Sequence, residues 1–222
     1  MEQTPIHDLH NPDLLQLIPI TSRKLIEIGC SSGALAREFK KIAPSVNYFG
    51  VEIDANYAER ASRFCDDVLV SNIEYVDSSF WKLQADRDCW IFGDTLEHLQ
   101  NPWGILRQIH KIIPVGGAVV ACIPNAQHWS LQVRLSIGDF RYVNDGLMDR
   151  THLRWFTRQT IIEMFIEAGF VVEMGFPRIF DEPQRENFLP VIAEMAKLAG
   201  ADPEAAVEDS LPLQYVIRAI KK

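Results

Sequence analysis

The chain has 222 residues, of which 47% are hydrophobic and 23% are charged. These values are typical of a globular domain with its own core and exclude a disordered chain. The net charge of −8 at pH 7 argues against a general nucleic-acid-binding or membrane-surface protein. We therefore expect no nucleic-acid partner.

The first residues contain no basic stretch followed by an apolar run, and no apolar segment approaches the roughly 20 residues of a membrane span. The four cysteines form no Cys-x-x-Cys pair and are expected as small buried residues in a reducing compartment. We therefore expect a cytoplasmic protein without membrane insertion. Nothing in the sequence sets the oligomeric state.

The chain opens with a leader, residues 1–22, in which Asn11 and Pro12 predict the start of a short helix. From residue 24 onward apolar strands alternate with helical patterns, which favours a parallel sheet with right-handed crossovers. The predicted strands are 24–28, 46–52, 67–71, 88–93, 118–123, 170–176 and 213–220. The predicted helices are 33–42, 55–64, 102–113, 158–168 and a last one around 189–199.

Two segments interrupt this alternation within what we expect to be a single domain, residues 1–222. Residues 125–155 are predicted to lack regular structure, and a run of this length inside a compact domain is usually functional, so we expect a substrate or lid insertion. Residues 181–210 are predicted to form a helical insertion before the last strand.

The stretch L-I-E-I-G-C-S-S-G-A-L-A-R-E-F, residues 25–39, predicts a strand, a tight turn and a helix N-terminus. Such an arrangement often binds a nucleotide-type ligand. A dinucleotide fingerprint requires glycine at 29, 31 and 34, where the chain has Gly, Ser and Ala. Glu27 suits an ammonium group, and Glu52 can accept hydrogen bonds from ribose hydroxyls. The pattern favours an adenosine ligand with a methionine tail.

Four motifs carry a family resemblance: E-I-G-C-S-S-G (27–33), G-V-E-I-D (50–54), S-N-I-E (71–74) and F-G-D-T-L-E-H-L (92–99). In order and spacing they resemble the class I S-adenosylmethionine-dependent methyltransferases. The resemblance implies an α/β, Rossmann-like fold. Its seven-stranded sheet has helices on both faces and only the last strand antiparallel. The implied cofactor is S-adenosylmethionine.

A narrower resemblance depends on D-T-L-E-H-L (94–99), I-P-N-A-Q-H-W-S (123–130) and D-R-T-H-L-R-W-F-T (149–157). Together these motifs are similar to a bacterial subgroup associated with glycosyltransferases and cell-surface polysaccharide genes. The resemblance implies a small-molecule or sugar-linked acceptor.

The resemblance also implies which residues bind the cofactor. Ser31 departs from the family's usual middle glycine, and serine does not tolerate every turn with positive φ. The implied cofactor residues are Glu27, Gly29, Ser31 and Gly33 at the methionine tail, Glu52 at the ribose, Ile53, Asn72 and Ile73 at the adenine, and Asp94 and Leu96 below the sulfonium.

Methyl transfer to a hydroxyl requires orientation of the two reactants and removal of a proton. Histidine is the side chain best suited to accept that proton near neutral pH. Three histidines lie at suitable positions, His98 after the fourth strand, His128 after the fifth, and His152 in the insertion. The sequence leaves open which of them is the catalytic base.

Residues 125–158 contain five arginines with interleaved aromatic residues in an otherwise acidic chain. Arginine beside aromatic surface suits an anionic or sugar-bearing acceptor, so we expect Trp129, Arg150 and Arg154 to bind substrate. The alternative is that internal ion pairs fix the segment.

The pattern Asp94-x-x-Glu97-His98 could also bind a hard divalent ion, but we expect no metal. The sequence therefore favours O-methylation of a small or sugar-linked acceptor. The alternatives are an N-methyltransferase and a catalytically silent subunit that binds S-adenosylmethionine.

Overall fold

The computed structural model describes residues 8–222, so residues 1–7 of the predicted leader lie outside the described part of the chain. Among residues 8–222, no helix is both long and apolar enough to cross a membrane. The four cysteines are free and buried, as expected.

A seven-stranded sheet forms the centre of the molecule, with the strand order β3-β2-β1-β4-β5-β7-β6. Strand β7 is antiparallel to both of its neighbours, and the other pairs are parallel. This confirms the predicted sheet, including its antiparallel last strand. The strands are β1 (Lys24–Ile28), β2 (Asn47–Glu52), β3 (Asp67–Val70), β4 (Cys89–Gly93), β5 (Ala118–Pro124), β6 (Val171–Arg178) and β7 (Gln214–Ile220).

Nine α-helices are found among residues 8–222. Those predicted from the sequence are confirmed to within a few residues at their ends. The helices are α1 (Pro12–Leu17), α2 (Ala34–Ile42), α3 (Ala55–Ala61), α4 (Ser78–Leu83), α5 (Pro102–Ile112), α6 (Trp129–Ser136), α7 (Arg158–Glu167), α8 (Leu189–Leu198) and α9 (Pro203–Ser210).

The expectation that residues 125–155 lack regular structure is wrong, because α6 lies within them. Helix α6 buries only Leu131, so its sequence lacks the broad apolar stripe that identifies an amphipathic helix. Helix α4 was not predicted either, and it likewise buries a single residue, whereas α9 lies within residues 181–210, which were predicted to be helical.

Helix α1 begins where the sequence predicts. The Asn11 side chain accepts hydrogen bonds from the backbone N–H groups of Asp13 (3.1 Å) and Leu14 (3.2 Å), which satisfies two donors that the helix itself leaves free. Leu14 and Leu17 are buried and pack in the same core cluster as residues of β5 and β7. The described part of the leader is thus packed against the sheet.

Successive side chains of the central strands alternate between two core layers. Ile26 and Trp90 pack with α5 and α7 on one face, and Leu25 and Ile91 pack with α1 and α2 on the other. The chain leaves β1 towards α2 and leaves β4 towards α5, so the two connections diverge to opposite faces. A crevice opens between these neighbouring strand ends, as is usual where strand order reverses.

Gly33 starts α2 with a left-handed backbone, φ +77°. A Cβ atom placed on Gly33 would lie 2.9 Å from the Cα of Ala61 in α3. The position therefore needs glycine both for its backbone conformation and for the close approach of the two helices.

We expect Gly33→Ala to lower the free energy of unfolding by about 2–4 kcal/mol, from the left-handed backbone and the steric overlap together. Gly116→Ala is the matched control, because Gly116 has φ +82° and nothing within 4 Å of an added Cβ. It should cost only about 1 kcal/mol. Urea unfolding of both variants measures the difference, and equal losses would contradict the packing argument.

Candidate active site

The crevice is a cavity of about 1360 Å³ at the carboxyl ends of the strands, wider than the roughly 300–1,000 Å³ of common small-ligand pockets. Leu9, His10 and Leu14 line it from the leader. The carboxyl ends of β1, β2 and β3 contribute one group of lining residues. The turn after β4 and residues 145–154 contribute a second group on the β4 side.

The turn after β1 approaches the turn after β4 very closely. Gly29 has φ +74°, and a Cβ at this position would lie 2.7 Å from Oγ1 of Thr95. The Thr95 hydroxyl in turn donates to the carbonyl oxygen of Ile28 at 3.0 Å. Glycine at position 29 is therefore required both by its backbone and by the space that Thr95 occupies.

Ser31 adopts φ +48°, so the serine in place of the usual glycine takes up a left-handed backbone. Its N–H donates to Oε2 of Glu52 at 2.8 Å. Oε1 of Glu52 accepts the N–H groups of Ile53 (2.8 Å) and Asp54 (3.0 Å). An ionised carboxylate has about four acceptor positions, so roughly one is left for a ligand. The buried Glu52 carboxylate is held rigidly at the end of β2, beside the 48% exposed Ile53.

Glu27 is buried inside β1, and its Oε2 accepts the phenolic O–H of Tyr48 at 2.9 Å. Burial is the main cause that raises the pKa of Glu27 to about 8; the Tyr48 hydrogen bond acts in the opposite direction, and the nearby charge of Glu52 adds to the rise. Glu27 therefore carries a proton at neutral pH unless a cationic group approaches it.

The remaining expected cofactor residues occupy different environments. Asn72 and Ile73 line the cavity, and Asn72 caps a short turn by accepting the N–H of Glu74 at 2.9 Å. Asp94 lines it too, with φ +52° and a hydrogen bond from the Gln214 amide of β7.

Gly33 and Leu96 are not among the lining residues, contrary to expectation. Leu96 is fully buried in the core, because the 3₁₀ turn Leu96–His98 directs it inward.

That 3₁₀ turn and the 145–154 segment bring Glu97, His98 and His152 together at the cavity wall. One ligand atom from each of the three lies within 4.8 Å of the others. The two imidazole rings are 4.7 Å apart, edge to face. Nε2 of His152 is 4.0 Å from Oε1 of Glu97. We call these three residues the carboxylate–imidazole cluster.

Glu97 is 1% exposed, and neither of its carboxylate oxygens has a hydrogen-bond partner among residues 8–222. Its backbone carbonyl is well bonded, because it accepts the N–H groups of Leu153 (2.8 Å) and Arg154 (3.0 Å). Burial raises the pKa of Glu97 well above its ordinary value, and the charges of Asp94 and Asp149 raise it further. Burial lowers the pKa of His98, and it lowers the pKa of His152 to about 4.

His128 and Trp129 are expected at the acceptor, but they do not line the cavity. Both ring nitrogens of His128 are bonded, Nδ1 to Ser130 Oγ at 2.8 Å and Nε2 to Glu182 at 3.1 Å. The Trp129 indole donates to the same Glu182 carboxylate at 2.9 Å and stacks on Phe188. These contacts bind α6 to the segment after β6.

The five arginines of residues 125–158 lie at different places in the structure. Three of them form ion pairs: Arg134 and Arg141 both pair with Asp139, and Arg158 pairs with Asp209. These pairs agree with the alternative that internal ion pairs fix the segment. Arg150 and Arg154 line the cavity. The Arg154 guanidinium also donates to the backbone carbonyls of Gln100 and Leu153. Three aromatic rings of the segment contact one another and do not line the cavity: the exposed Phe140 and Tyr142 and the half-buried Trp155.

Sequence reasoning did not place Tyr48, Thr95 or Gln214 at the site. Tyr48 and Gln214 are separated in the chain from the carboxylates that they contact, and no local pattern marks them. Glu97 had a signal, since it directly precedes His98 in the acidic pattern after β4. His152, however, reaches Glu97 only through the path of the 145–154 segment, which the sequence does not show.

Glu27 makes stability depend on pH. Its pKa is raised from 4.5 to about 8 in the folded protein, so between these values the unfolded chain ionises while the folded protein keeps the proton. The stabilisation that Glu27 provides is fully present below its pKa in the unfolded chain. It is lost as the pH rises to about 8, and the free energy of unfolding falls by up to about 1.4 kcal/mol per pH unit. The stability of the wild type relative to Glu27→Gln should therefore fall steadily between about pH 5 and pH 8.

Urea unfolding of both proteins across that pH range measures this difference. Other titrating groups cancel in the comparison. A difference that is independent of pH would contradict the assignment of a protonated Glu27.

The sequence model of the methyltransferase domain family matches residues 8–174. A ubiquinone biosynthesis O-methyltransferase from Albidiferax ferrireducens is 24% identical over 159 residues, which cover 68% of this chain and 61% of the relative. A tRNA (guanine-N(7)-)-methyltransferase from Chloroherpeton thalassium is 22% identical over 130 residues, which cover 53% of this chain and 58% of the relative. The chain thus spans about three fifths of the length of these curated relatives.

Among solved structures, a SAM-dependent methyltransferase from Archaeoglobus fulgidus superposes with a TM-score of 0.62 at 19% identity, covering 90% of this chain and 87% of that chain. The shared fold agrees with the strand order described above. Because the family match extends over well more than half of its residues, the chain belongs to the methyltransferase domain family, and its cofactor is S-adenosylmethionine.

Proposed function

We propose that this protein transfers a methyl group from S-adenosylmethionine to a hydroxyl oxygen of a small or sugar-linked acceptor. One observation carries the proposal. A single cavity is lined both by the turn after β1 with Glu52 and by the carboxylate–imidazole cluster on the β4 side. The residues that we propose for the cofactor and a cluster suited to promoting deprotonation of a hydroxyl therefore line the same space.

The residues around the turn fit S-adenosylmethionine. The left-handed Gly29 leaves no room for a side chain beside Thr95, so the backbone of the turn can approach a ligand closely. Glu52 presents a fixed carboxylate for a ribose, the exposed Ile53 offers apolar surface to an adenine, and Glu27 can pair with an ammonium group. When bound, the cofactor supplies a methyl carbon activated by its positively charged sulfur.

An oxygen acceptor is supported by the composition of the cluster. A hydroxyl must lose its proton for methylation, whereas a neutral amine attacks through a lone pair that is already available. Glu97, His98 and His152 provide a carboxylate and two imidazoles at the cavity wall, which suits proton removal from a hydroxyl. The two curated relatives methylate different kinds of atom, so the atom methylated here is inferred from the cluster and not from them.

A negatively charged acceptor is supported by Arg150 and Arg154, which line the same cavity. Guanidinium groups recognise carboxylates and phosphates with paired hydrogen bonds. A phosphorylated or acidic sugar with a free hydroxyl has the required chemistry.

The proposal is tested by incubating the protein with S-adenosylmethionine and a panel of hydroxyl compounds, acidic sugars and sugar nucleotides included. Release of S-adenosylhomocysteine together with a methyl ether in the product, identified by NMR, is the expected result. A methylated amine in the product would contradict the assignment of oxygen. Binding without turnover on any hydroxyl or amine compound would favour a silent cofactor-binding subunit.

We expect Glu52→Ala to weaken S-adenosylmethionine binding about 10- to 100-fold, because a hydrogen bond to a charged group contributes about 1.5–3 kcal/mol. Calorimetric titration with S-adenosylmethionine, S-adenosylhomocysteine and NAD measures the effect, and NAD should not bind. Glu59→Ala, an exposed change on the neighbouring α3, is the matched control. An unchanged dissociation constant for Glu52→Ala would remove the ribose role.

We expect Arg150→Ala to raise the KM for an anionic acceptor by at least about tenfold, since a charge-assisted hydrogen bond is lost. Arg154→Ala should raise the KM and also lower the melting temperature, because Arg154 is bonded to two backbone carbonyls. Arg141→Ala is the control, as its ion pair with Asp139 is exposed and outside the cavity lining. Loss of stability without any change in KM would instead indicate a structural role.

A further inference from the structure

We propose that Glu97, His98 and His152 bind a divalent first-row transition-metal ion in the cavity, which holds the acceptor's oxygen atoms. The metal site itself stands on the geometry of the three side chains, and its role towards the acceptor rests on the proposed function. The proposal departs from the expectation, drawn from the sequence, that no metal is bound.

The carboxylate of Glu97 is buried without a hydrogen-bond partner in the described part of the chain. Nearly all buried polar groups in proteins are hydrogen-bonded, and a buried charge is normally paired or binds a metal. Both oxygens of the 1% exposed Glu97 lack a hydrogen-bond partner among residues 8–222, although its backbone carbonyl is fixed by two N–H groups. The backbone at Glu97 is thus fixed while the acceptor atoms of its side chain stay available.

The hydrogen bonds of His98 leave its Nε2 available as a metal ligand. The Thr151 hydroxyl donates to Asp149 Oδ1 at 2.7 Å, so towards His98 Nδ1, 3.0 Å away, it can only accept. The carbonyl oxygen of Thr151, at 3.2 Å from the same nitrogen, also can only accept. Nδ1 of His98 therefore carries the proton, and Nε2 keeps its lone pair.

His152 has a matching arrangement. Its Nδ1 faces the carbonyl oxygen of Leu147 at 3.3 Å, which places the proton on Nδ1. Nε2, with its lone pair, faces Glu97 Oε1 at 4.0 Å, too far for a hydrogen bond. Histidines that bind metals usually donate their other ring N–H to a carbonyl or carboxylate in this way. Both imidazoles are therefore prepared as ligands and not as donors to Glu97.

The distances are compatible with one shared ion. The three ligand atoms lie within 4.8 Å of one another. Two atoms bound at about 2.1 Å around a tetrahedral ion are about 3.4 Å apart, so side-chain shifts of under about 1 Å complete the site. The neighbouring carboxylates have other partners, since Asp149 accepts from Thr151 and Asp94 accepts from Gln214.

The ligand set indicates the class of metal and its function. Two imidazoles and one carboxylate suit zinc, iron, cobalt or manganese more than magnesium or calcium, which prefer oxygen ligands. Three protein ligands leave coordination positions open, as in catalytic metal sites. Because all three residues line the cavity, these positions are reachable by an acceptor hydroxyl, and a bound cation lowers the pKa of such a hydroxyl.

The test is a titration of the chelator-treated full-length protein with Co²⁺, followed by visible absorption, and with Zn²⁺, followed by calorimetry. We expect one equivalent to bind. Glu97→Gln and His152→Ala should each weaken metal binding by about 10- to 100-fold or more. A loss of that size is already typical when a residue that only hydrogen-bonds to a metal-binding side chain is removed. His10→Ala is the matched control, because His10 lines the cavity but is outside the cluster.

Thermal unfolding and S-adenosylmethionine titration of each variant show whether it is folded. If a variant does not fold, ¹⁵N NMR of the imidazoles in the unaltered protein replaces it, and Zn²⁺ should shift only two histidines. Absence of Co²⁺ and Zn²⁺ binding, or binding that both cluster variants retain, would overturn the metal site. Failure of the unaltered protein to bind S-adenosylmethionine would overturn the proposed function instead and leave the metal result readable.

Discussion

The reversal of strand order between β1 and β4 is the constraint on which the site depends. Both strands are parallel and adjacent, but the chain leaves β1 towards one face of the sheet and leaves β4 towards the other. The two connections cannot fill the space between them, so a cavity remains at the carboxyl edge. The candidate cofactor and acceptor residues that line the cavity come from two places. Some belong to strands or turns that end at this edge, and the others belong to the 145–154 segment that covers it.

Three buried glutamates around the cavity have three different environments. Glu52 is held by three backbone N–H groups, which fix its carboxylate at the edge of the cavity. Glu27 is protonated beside Tyr48 and can ionise when a cationic group arrives. Within residues 8–222, the Glu97 carboxylate has neither kind of partner. The differences follow from burial and from the donors within reach, not from the residue type.

Backbone strain is concentrated at the same place. Ser31 and Asp94 are the non-glycine residues with positive φ among residues 8–222, and both line the cavity. Such conformations cost about 1–3 kcal/mol each and persist where the surrounding structure enforces them. Here Ser31 is held through its N–H to Glu52, and Asp94 through the amide of Gln214. The fold therefore maintains an energetically costly but preformed edge around the cavity.

The order of strands and helices, the antiparallel last strand and the cofactor family were predictable from the sequence. Apolar periodicity reports which residues are buried, and the motifs after β1, β2 and β4 are local. Positions 27, 29, 31 and 52 of the candidate site belong to these local patterns. Helix α6 was not predictable, because it buries too little to show a helical period.

Only the tertiary structure decided which of the candidate histidines meet. The sequence treats His98, His128 and His152 alike, since each follows a strand or lies in the aromatic segment. Folding directs His128 to Glu182 and brings His152 to His98 and Glu97, across more than fifty residues of chain. Contacts of this kind depend on the path of the 145–154 segment over the sheet edge, which no local pattern of residues encodes.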